Sequence, residues 1–277
     1  MPFVESRDHT RLFYNDWGAG RPVVLLGTAM MSSRMWEFQA PYLAAHGLRC
    51  ITYDRRGCGR SDQPWNGYDY DSLADDLAAL MDHLDLRDVG LVGYALGGGE
   101  AVRYVSRHGT DRVSRLALVG STTPFMMKTA DNPDGLDVAA FTAMAEAMVK
   151  DRPHWVTELA AQFFGGAHAD PGGSPLSPEL TRWLAGLALD CSPRAAVEIY
   201  RTLFTTDQRA ETAKITLPTL ILHGEDDLGA PFGLCAEATA ALIPHSTVIR
   251  YQGAAHGLFA THADRFNADL LDFMTER

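Results

Sequence analysis

The sequence has few basic residues and no long apolar run, and each absence excludes a class of partner. Its 277 residues contain 24 Lys plus Arg against 35 Asp plus Glu, which leaves a formal net charge of −11. Because no basic cluster offsets this charge, we expect neither nucleic acid nor an anionic membrane surface as a partner. The longest apolar runs, such as Val23 to Leu26, are far below the roughly 20 residues that a membrane-spanning helix needs. The segment Met1 to Trp17 lacks the pattern of a signal peptide, so we expect a cytoplasmic protein.

Cysteine is scarce as well. The four cysteines are Cys50, Cys58, Cys191 and Cys235. They are scattered, form no C-x-x-C motif and lie near no histidine cluster. This pattern predicts neither a disulfide framework nor a zinc site, and we expect reduced thiols and no bound metal.

What the sequence does contain is a regular alternation of short apolar runs and helical patterns. Hydrophobic residues make up 46% of the chain and charged residues 21%, which is enough apolar material for a sizeable core. The predicted strands are Leu12 to Trp17, Val23 to Leu26, Cys50 to Tyr53, Val89 to Val92, Leu116 to Val119, Thr219 to His223 and Thr247 to Tyr251. Several of these runs are apolar at nearly every position, as in strands that helices cover on both faces. The pattern predicts an α/β fold with a mainly parallel central sheet flanked by helices.

The helical patterns fall into two groups. In the first, Asp71 to Leu84 places its leucines on one face, and Asp75, Asp76 and Asp82 are predicted to face solvent. In the second, residues 121–214 contain helical patterns and no strand-like run. These patterns span residues 137–150, 153–164, 177–189 and 193–204. Because strand patterns resume at Thr219, we predict an α/β core of residues 1–121 and 214–277, with an all-helical cap of residues 122–213 inserted in it.

The loop after the predicted strand Val89 to Val92 has the composition of a sharp strand-to-helix turn. It reads Gly93-Tyr94-Ala95-Leu96-Gly97-Gly98, and a helical pattern follows it. Small residues two positions before and after a central residue allow the strained backbone that pushes one side chain out over the sheet. In a nucleophile elbow that central residue is serine, and here it is Ala95.

The same run is also a degenerate form of the glycine motif that binds dinucleotides. Such a motif needs an acidic residue about 20 positions further on, at the end of the next strand, to hold the ribose. The strand Leu116 to Val119 ends instead in Gly120-Ser121-Thr122. We therefore expect no dinucleotide cofactor.

Together with five other motifs, the turn resembles the α/β-hydrolase superfamily and, within it, the cofactor-free haloperoxidase and small esterase or lactonase group. These motifs are Val23-Val24-Leu25-Leu26-Gly27-Thr28, Tyr53-Asp54-Arg55-Arg56-Gly57-Cys58-Gly59-Arg60-Ser61, Asn132-Pro133-Asp134-Gly135, His223-Gly224-Glu225-Asp226-Asp227 and His256-Gly257. Their order and spacing match the family over essentially the full chain. The resemblance implies an α/β-hydrolase fold with an inserted cap and chemistry without a cofactor.

The resemblance also implies a triad in which Asp227 is the acid and His256 is the base. Asp227 is the third residue after Gly224, where its carboxylate would accept the imidazole N–H and fix the tautomer. His256 has only small neighbours, so a role in filling the core is awkward, whereas a general base suits it. The chain order of elbow, acid and histidine is that of the family.

The oxyanion hole would be formed by backbone N–H groups of Leu96, which follows the elbow, and of Thr28. The family has His-Gly before the second donor, whereas this chain has Leu26-Gly27 and so lacks a polar side chain to brace that loop. Between the elbow and the cap we expect a pocket with apolar or soft side chains. The candidates are residues of the cap helices together with Met30, Trp36, Phe125 and Met126. Such a pocket suits a small hydrophobic ester, lactone or acyl donor, for either ester cleavage or peracid formation.

Ala95 has no oxygen that could attack a carbonyl, so we expect the chain to be nearly inactive as a serine hydrolase. One explanation is the deliberate replacement of a native serine to trap a substrate, and we favour it because the acid, the base and the hole are retained. The other is a natural alanine, which the change at Leu26 supports. His256 and Asp227 would then direct a water or a proton transfer, or the scaffold would be a ligand-binding receptor.

Overall fold

The computed structural model describes residues 2–165 and 176–276. These residues form a central sheet of eight strands. Its strands are β1 (Phe3–Glu5), β2 (Arg11–Gly18), β3 (Arg21–Leu26), β4 (Leu48–Tyr53), β5 (Val89–Tyr94), β6 (Val113–Val119), β7 (Thr219–Gly224) and β8 (Thr247–Tyr251). Their order is β1-β2-β4-β3-β5-β6-β7-β8. The pairs β1/β2 and β2/β4 are antiparallel, and every later pair is parallel. The predicted α/β fold with a mainly parallel sheet is confirmed.

Helices connect most of the strands. They are α1 (Ala40–Ala45), α2 (Tyr70–His83), α3 (Leu96–His108), α4 (Val138–Lys150), α5 (Arg152–Phe164), α6 (Pro178–Leu189), α7 (Pro193–Thr205), α8 (Arg209–Thr212), α9 (Ala238–Leu242), α10 (Leu258–Thr261) and α11 (Ala263–Thr275). A 3-10 helix spans Ser33–Phe38, and a π-helical turn spans Gly233–Glu237. None of the helices in the described part of the chain is long and apolar enough to cross a membrane.

Five helices, α4 to α8, lie between β6 and β7, where the sequence predicts the inserted cap. The four predicted helical patterns each match an observed helix to within one residue at either end. All four of these helices begin with a cap that the sequence contains, because Asp137, Asp151, Ser177 and Ser192 each accept a hydrogen bond from a backbone N–H of the first turn. Residues 166–175 of the predicted cap lie outside the described residues.

The sheet is buried on both faces, which explains its nearly continuous apolar strands. In β3, Val23 and Leu25 face one hydrophobic cluster, whereas Val24 and Leu26 face the other. All four side chains are fully buried. Because the strands β3 to β8 run parallel, the loops at their carboxyl ends lie along one edge of the sheet, where ligands of such folds bind.

The predicted solvent face of α2 is wrong at one position. Asp82 is exposed and Asp75 is partly exposed, but Asp76 is fully buried. Its carboxylate accepts two hydrogen bonds of 2.6 Å from the guanidinium of Arg56, which comes from the loop after β4. A carboxylate tolerates burial when such a partner compensates the lost hydration, and the partner is 20 residues away in the chain.

Candidate active site

The predicted sharp turn lies between β5 and α3, with Ala95 at its apex. Ala95 has φ 50° and ψ −113°, in a region that non-glycine residues rarely occupy. Its glycine neighbours permit the turn, because a Cβ on Gly93 would lie 2.4 Å from the carbonyl oxygen of Gly97. A Cβ on Gly98 would lie 2.1 Å from Ser121 Oγ. The strain therefore places one side chain, the methyl group of Ala95, at the carboxyl edge of the sheet.

Asp227, after β7, and His256, after β8, meet beside this turn. His256 Nδ1 donates to Asp227 Oδ2 at 2.6 Å. The other carboxylate oxygen, Oδ1, accepts from the backbone N–H groups of Gly229 at 2.8 Å and Ala230 at 2.7 Å. Because Nδ1 is the donor, Nε2 of His256 carries the lone pair that a general base needs.

A second histidine lies close to the carboxylate of Asp227. His223, at the end of β7, is fully buried, and its Nε2 donates to the carbonyl of Ala230 at 2.7 Å and lies 3.3 Å from Asp227 Oδ2. Burial alone would raise the pKa of Asp227, but His256 and His223 outweigh it and hold the pKa of this carboxyl below its usual value. Asp227 is therefore ionised at neutral pH. No role is predicted for His223 from the sequence, although it stands in the motif that contains Asp227.

Aromatic rings and a glycine fix the imidazole of His256. Phe163 packs edge-on against it with centroids 4.6 Å apart, and Tyr94 does the same at 5.7 Å. The hydroxyl of Tyr94 also donates to the carbonyl of His256. Gly120 has φ 47°, and a Cβ there would lie 3.3 Å from His256 Nδ1. These contacts hold the ring in place where His256 lines a cavity.

The two predicted oxyanion donors are placed differently. Leu96 is the first residue of α3, where a backbone N–H has no partner within the helix. The N–H of Thr28 instead points to Met35 Sδ at 3.3 Å, so the structure does not leave it open to a ligand. A thioether is only a weak acceptor, which makes this contact easier to displace than a hydrogen bond to oxygen.

The loop that carries Thr28 is braced by a buried ion pair. The guanidinium of Arg55 donates to the carbonyls of Gly27 at 2.9 Å and Thr28 at 3.0 Å. It also donates to Glu100 Oε2 on α3 at 2.8 Å, and both side chains are buried. Arg55 therefore joins the loop after β3 to the helix after the elbow. The brace that the sequence lacks at Leu26 comes instead from the loop after β4.

Ala95 and His256 line one cavity of about 400 Å³, together with Thr28 and the predicted Met126. Helices α4, α5 and α7 supply further lining residues. These are Met144, Leu159, Gln162, Phe163, Tyr200, Leu203 and Phe204. A narrow extension of about 30 Å³ is lined in part by the predicted Met30.

Two predicted lining residues do not contact this cavity. Trp36 is 1% exposed and packs edge-on against Tyr94 in the core, with ring centroids 6.0 Å apart. Phe125 packs under the guanidinium of Arg209, whose carbon lies 5.2 Å from the ring centroid. Both side chains pack elsewhere and do not line the cavity. Phe163 and Tyr200, which line the cavity, belong to the cap helices that were predicted to face it, but the sequence does not show which helical positions do so.

Within the described residues, no group of three or more His, Cys, Asp or Glu side chains is arranged to hold a metal ion. Beside the strained turn the structure brings together an imidazole held by a carboxylate and the N-terminus of α3.

Comparisons with known proteins agree with this geometry. Residues 21–263 match the family of the alpha/beta hydrolase fold. The chain is 40% identical to a non-heme haloperoxidase of Rhodococcus erythropolis, over 99% of both chains, and 34% identical to a bifunctional esterase/perhydrolase of Acinetobacter calcoaceticus, over 99% of both. Its structure superimposes on a bromoperoxidase from Bacillus anthracis with a TM-score of 0.94 and 37% identity, covering 99% of each chain. An esterase from Exiguobacterium antarcticum gives a TM-score of 0.93 and 31% identity with the same coverage. The chain therefore belongs to the α/β-hydrolase family, within its group of non-heme haloperoxidases and esterases.

Proposed function

We propose that this site is that of a carboxylic-ester hydrolase in which Ala95 stands at the position of the nucleophile. The observation that carries the proposal is the hydrogen-bonded pair of Asp227 and His256, which meets the strained turn at Ala95 along one cavity. In this arrangement the chain binds a small ester, lactone or acyl compound and turns it over poorly, because no hydroxyl is present to form an acyl intermediate.

Each remaining residue has a role in that chemistry. With an oxygen nucleophile at position 95, His256 Nε2 would take its proton, and Asp227 would stabilise the imidazolium that results. The free N–H of Leu96 would donate to the carbonyl oxygen as negative charge develops on it. Thr28 would contribute a second donor once a substrate oxygen displaces the weak contact with Met35.

The lining of the cavity favours a neutral substrate over a carboxylate anion. Apolar atoms dominate its surface, and none of the described residues that line it is lysine or arginine. Two carboxylates, Asp134 and Asp137, lie at the cavity instead, and both residues are exposed. An anionic substrate would lose its hydration there without gaining a partner. Neutral esters and lactones therefore suit the cavity better than the free acid that peracid formation requires.

This preference predicts a binding difference that the chain itself can report. Phenyl acetate should bind at least about 10-fold more tightly than benzoate, because only the anion is desolvated without a cation to pair with. Isothermal titration or ligand-observed NMR would measure both dissociation constants. The variant Asp134→Asn should bring the two dissociation constants closer together, because it should strengthen the binding of benzoate and leave that of phenyl acetate unchanged. Equal affinities for the two ligands would count against a neutral substrate.

A fluorophosphonate probe tests whether the site can activate a nucleophile at position 95. We expect the variant Ala95→Ser to form a covalent adduct at residue 95, since His256 Nε2 would deprotonate the new hydroxyl. The parent should stay unlabelled, and so should Ala95→Ser with His256→Ala. Intact-mass and peptide mass spectrometry locate the adduct. A folded Ala95→Ser protein that takes up no probe would overturn the proposed function.

The intact pair of Asp227 and His256 also supports a second candidate, in which His256 directs a water molecule to the ester without a nucleophilic side chain. The parent would then hydrolyse a reactive aryl ester at a rate that His256→Ala abolishes. A parent rate that is unchanged in His256→Ala excludes this route.

A further inference from the structure

Two cysteines that are far apart in the sequence have their sulfur atoms in contact. Cys58 lies in the loop after β4, and Cys191 lies between α6 and α7, 133 residues later. Their Sγ atoms are 2.6 Å apart. Both residues are buried, at 0% and 1% exposure. This pair joins the α/β core to the helices inserted between β6 and β7.

Backbone contacts on either side of the pair fix this proximity. The N–H of Ser192 donates to the carbonyl of Gly57 at 2.7 Å, so the residues that flank the two cysteines are hydrogen-bonded to each other. Gly57 has φ 80°, and a Cβ there would lie 2.4 Å from Cβ of Ala195 on α7. The side chain of Arg152 on α5 donates to the carbonyl of Cys191. These main-chain contacts therefore hold the two sulfur atoms close together.

We propose that Cys58 and Cys191 form a disulfide bond that ties the inserted helices α6 and α7 to the loop after β4. Hydrogen peroxide is the oxidant. One thiol is oxidised to a sulfenic acid as the peroxide O–O bond breaks and a first water leaves. The second sulfur then displaces the sulfenic oxygen, which leaves with two protons as a second water, and the S–S bond forms. Two thiols lose two electrons in total, and one peroxide gains them.

A surface cleft lies beside the pair. The cleft has a volume of about 510 Å³, and Gly59 and Asp190, the immediate neighbours of the two cysteines, both line it. The other two cysteines lack such an arrangement, since Cys235 Sγ contacts Met126 Sδ and no contact joins Cys50 to another thiol. Burial raises the pKa of the Cys58 thiol, so oxidation should be slow and should need millimolar peroxide or long exposure.

The bond would restrain the helices that line the active-site cavity. Tyr200 and Leu203, on α7, line the cavity near Ala95, and Cys191 immediately precedes this helix and its cap Ser192. The cross-link would close a loop of about 130 residues, for which the expected stabilisation is large. The inference does not depend on the proposed hydrolase activity.

The test uses the native protein and counts its thiols. The protein is exposed to hydrogen peroxide, unfolded without a reductant and treated with iodoacetamide. Mass spectrometry should then find two alkyl groups on a chain with four cysteines. A digest should yield the peptides of Cys58 and Cys191 joined, and dithiothreitol should restore four alkylation sites. The oxidised protein should melt higher than the reduced one, by roughly 5–10 °C.

Matched cysteine variants make the result specific. Cys235→Ala should keep both the cross-link and the rise in melting temperature, whereas Cys58→Ala and Cys191→Ala should lose both. Four alkylated cysteines after peroxide treatment would overturn the proposal, and this outcome needs no variant to fold. A cross-link that persists in Cys58→Ala would also overturn the proposal. The same holds for sulfinic acid at Cys58 or Cys191 in place of the disulfide bond.

Discussion

Replacing Ala95 by serine is expected to raise kcat for hydrolysis of a short aryl ester, such as p-nitrophenyl acetate, by about 10⁴-fold or more. The substitution adds one oxygen to a residue whose backbone already has the strained conformation of a nucleophile elbow. The new hydroxyl would face a cavity that His256 shares, and Asp227 already holds that histidine in the required tautomer. The backbone at position 95 does not have to change, so the gain in rate should come without a loss of stability.

The control for this gain is the loss of the base. Ala95→Ser combined with His256→Ala should return kcat to within about 10-fold of the parent, because a serine without a base is a poor nucleophile. The KM of Ala95→Ser for an ester should be close to the parent's Kd for the same ester, since Ala95 contributes only a methyl group to the lining. A folded Ala95→Ser protein whose rate on aryl esters and lactones stays within 10-fold of the parent would contradict the ester-hydrolase proposal.

Short-range patterns in the sequence predict the fold well because apolar strands and helix caps are local properties. Val23 to Leu26 and Thr219 to His223 are buried on both faces, and their hydrophobic runs predict the observed strands within two residues. The strand β6 extends three residues earlier than predicted, since Ser114 and Arg115 interrupt its apolar run. The short strand β1 was missed because Phe3–Glu5 is too brief to show an alternation.

The parts of the site that the sequence does not predict depend on contacts between distant residues. Motif spacing is enough to place Ala95, Asp227 and His256, because each stands in a turn after its own strand. The contact of the Thr28 N–H with Met35 is a detail of loop packing that no spacing rule contains. The pairing of Arg55 with Glu100, 45 residues apart, is likewise invisible in a single sequence. The rings of Trp36 and Phe125 point away from the cavity for the same reason.

The variant Arg55→Met is expected to lower the free energy of unfolding by about 3–5 kcal/mol. It removes the guanidinium that pairs with the buried Glu100 carboxylate at 2.8 Å and leaves the carbonyls of Gly27 and Thr28 without that donor. Replacing the exposed Arg87, which pairs with Asp85 at the surface, should cost less than about 1 kcal/mol. Urea unfolding of the three proteins measures the difference. Equal losses for Arg55→Met and Arg87→Met would show that the buried pair does not brace the fold.

The loss should depend on pH, because burial raises the pKa of Glu100 and lowers that of Arg55. Without Arg55, Glu100 would take up a proton on folding, and stability would fall as pH rises above the unfolded pKa of about 4.3. The loss of stability in Arg55→Met should therefore be larger at pH 8 than at pH 5.

The double variant Arg55→Met with Glu100→Met should be more stable than Arg55→Met alone, since no charge is then buried without a partner. A deficit that is independent of pH and is not relieved in the double variant would assign the effect to lost packing alone. In the Ala95→Ser background, Arg55→Met should also lower kcat, because the loop that Arg55 positions carries Thr28, the second proposed oxyanion donor.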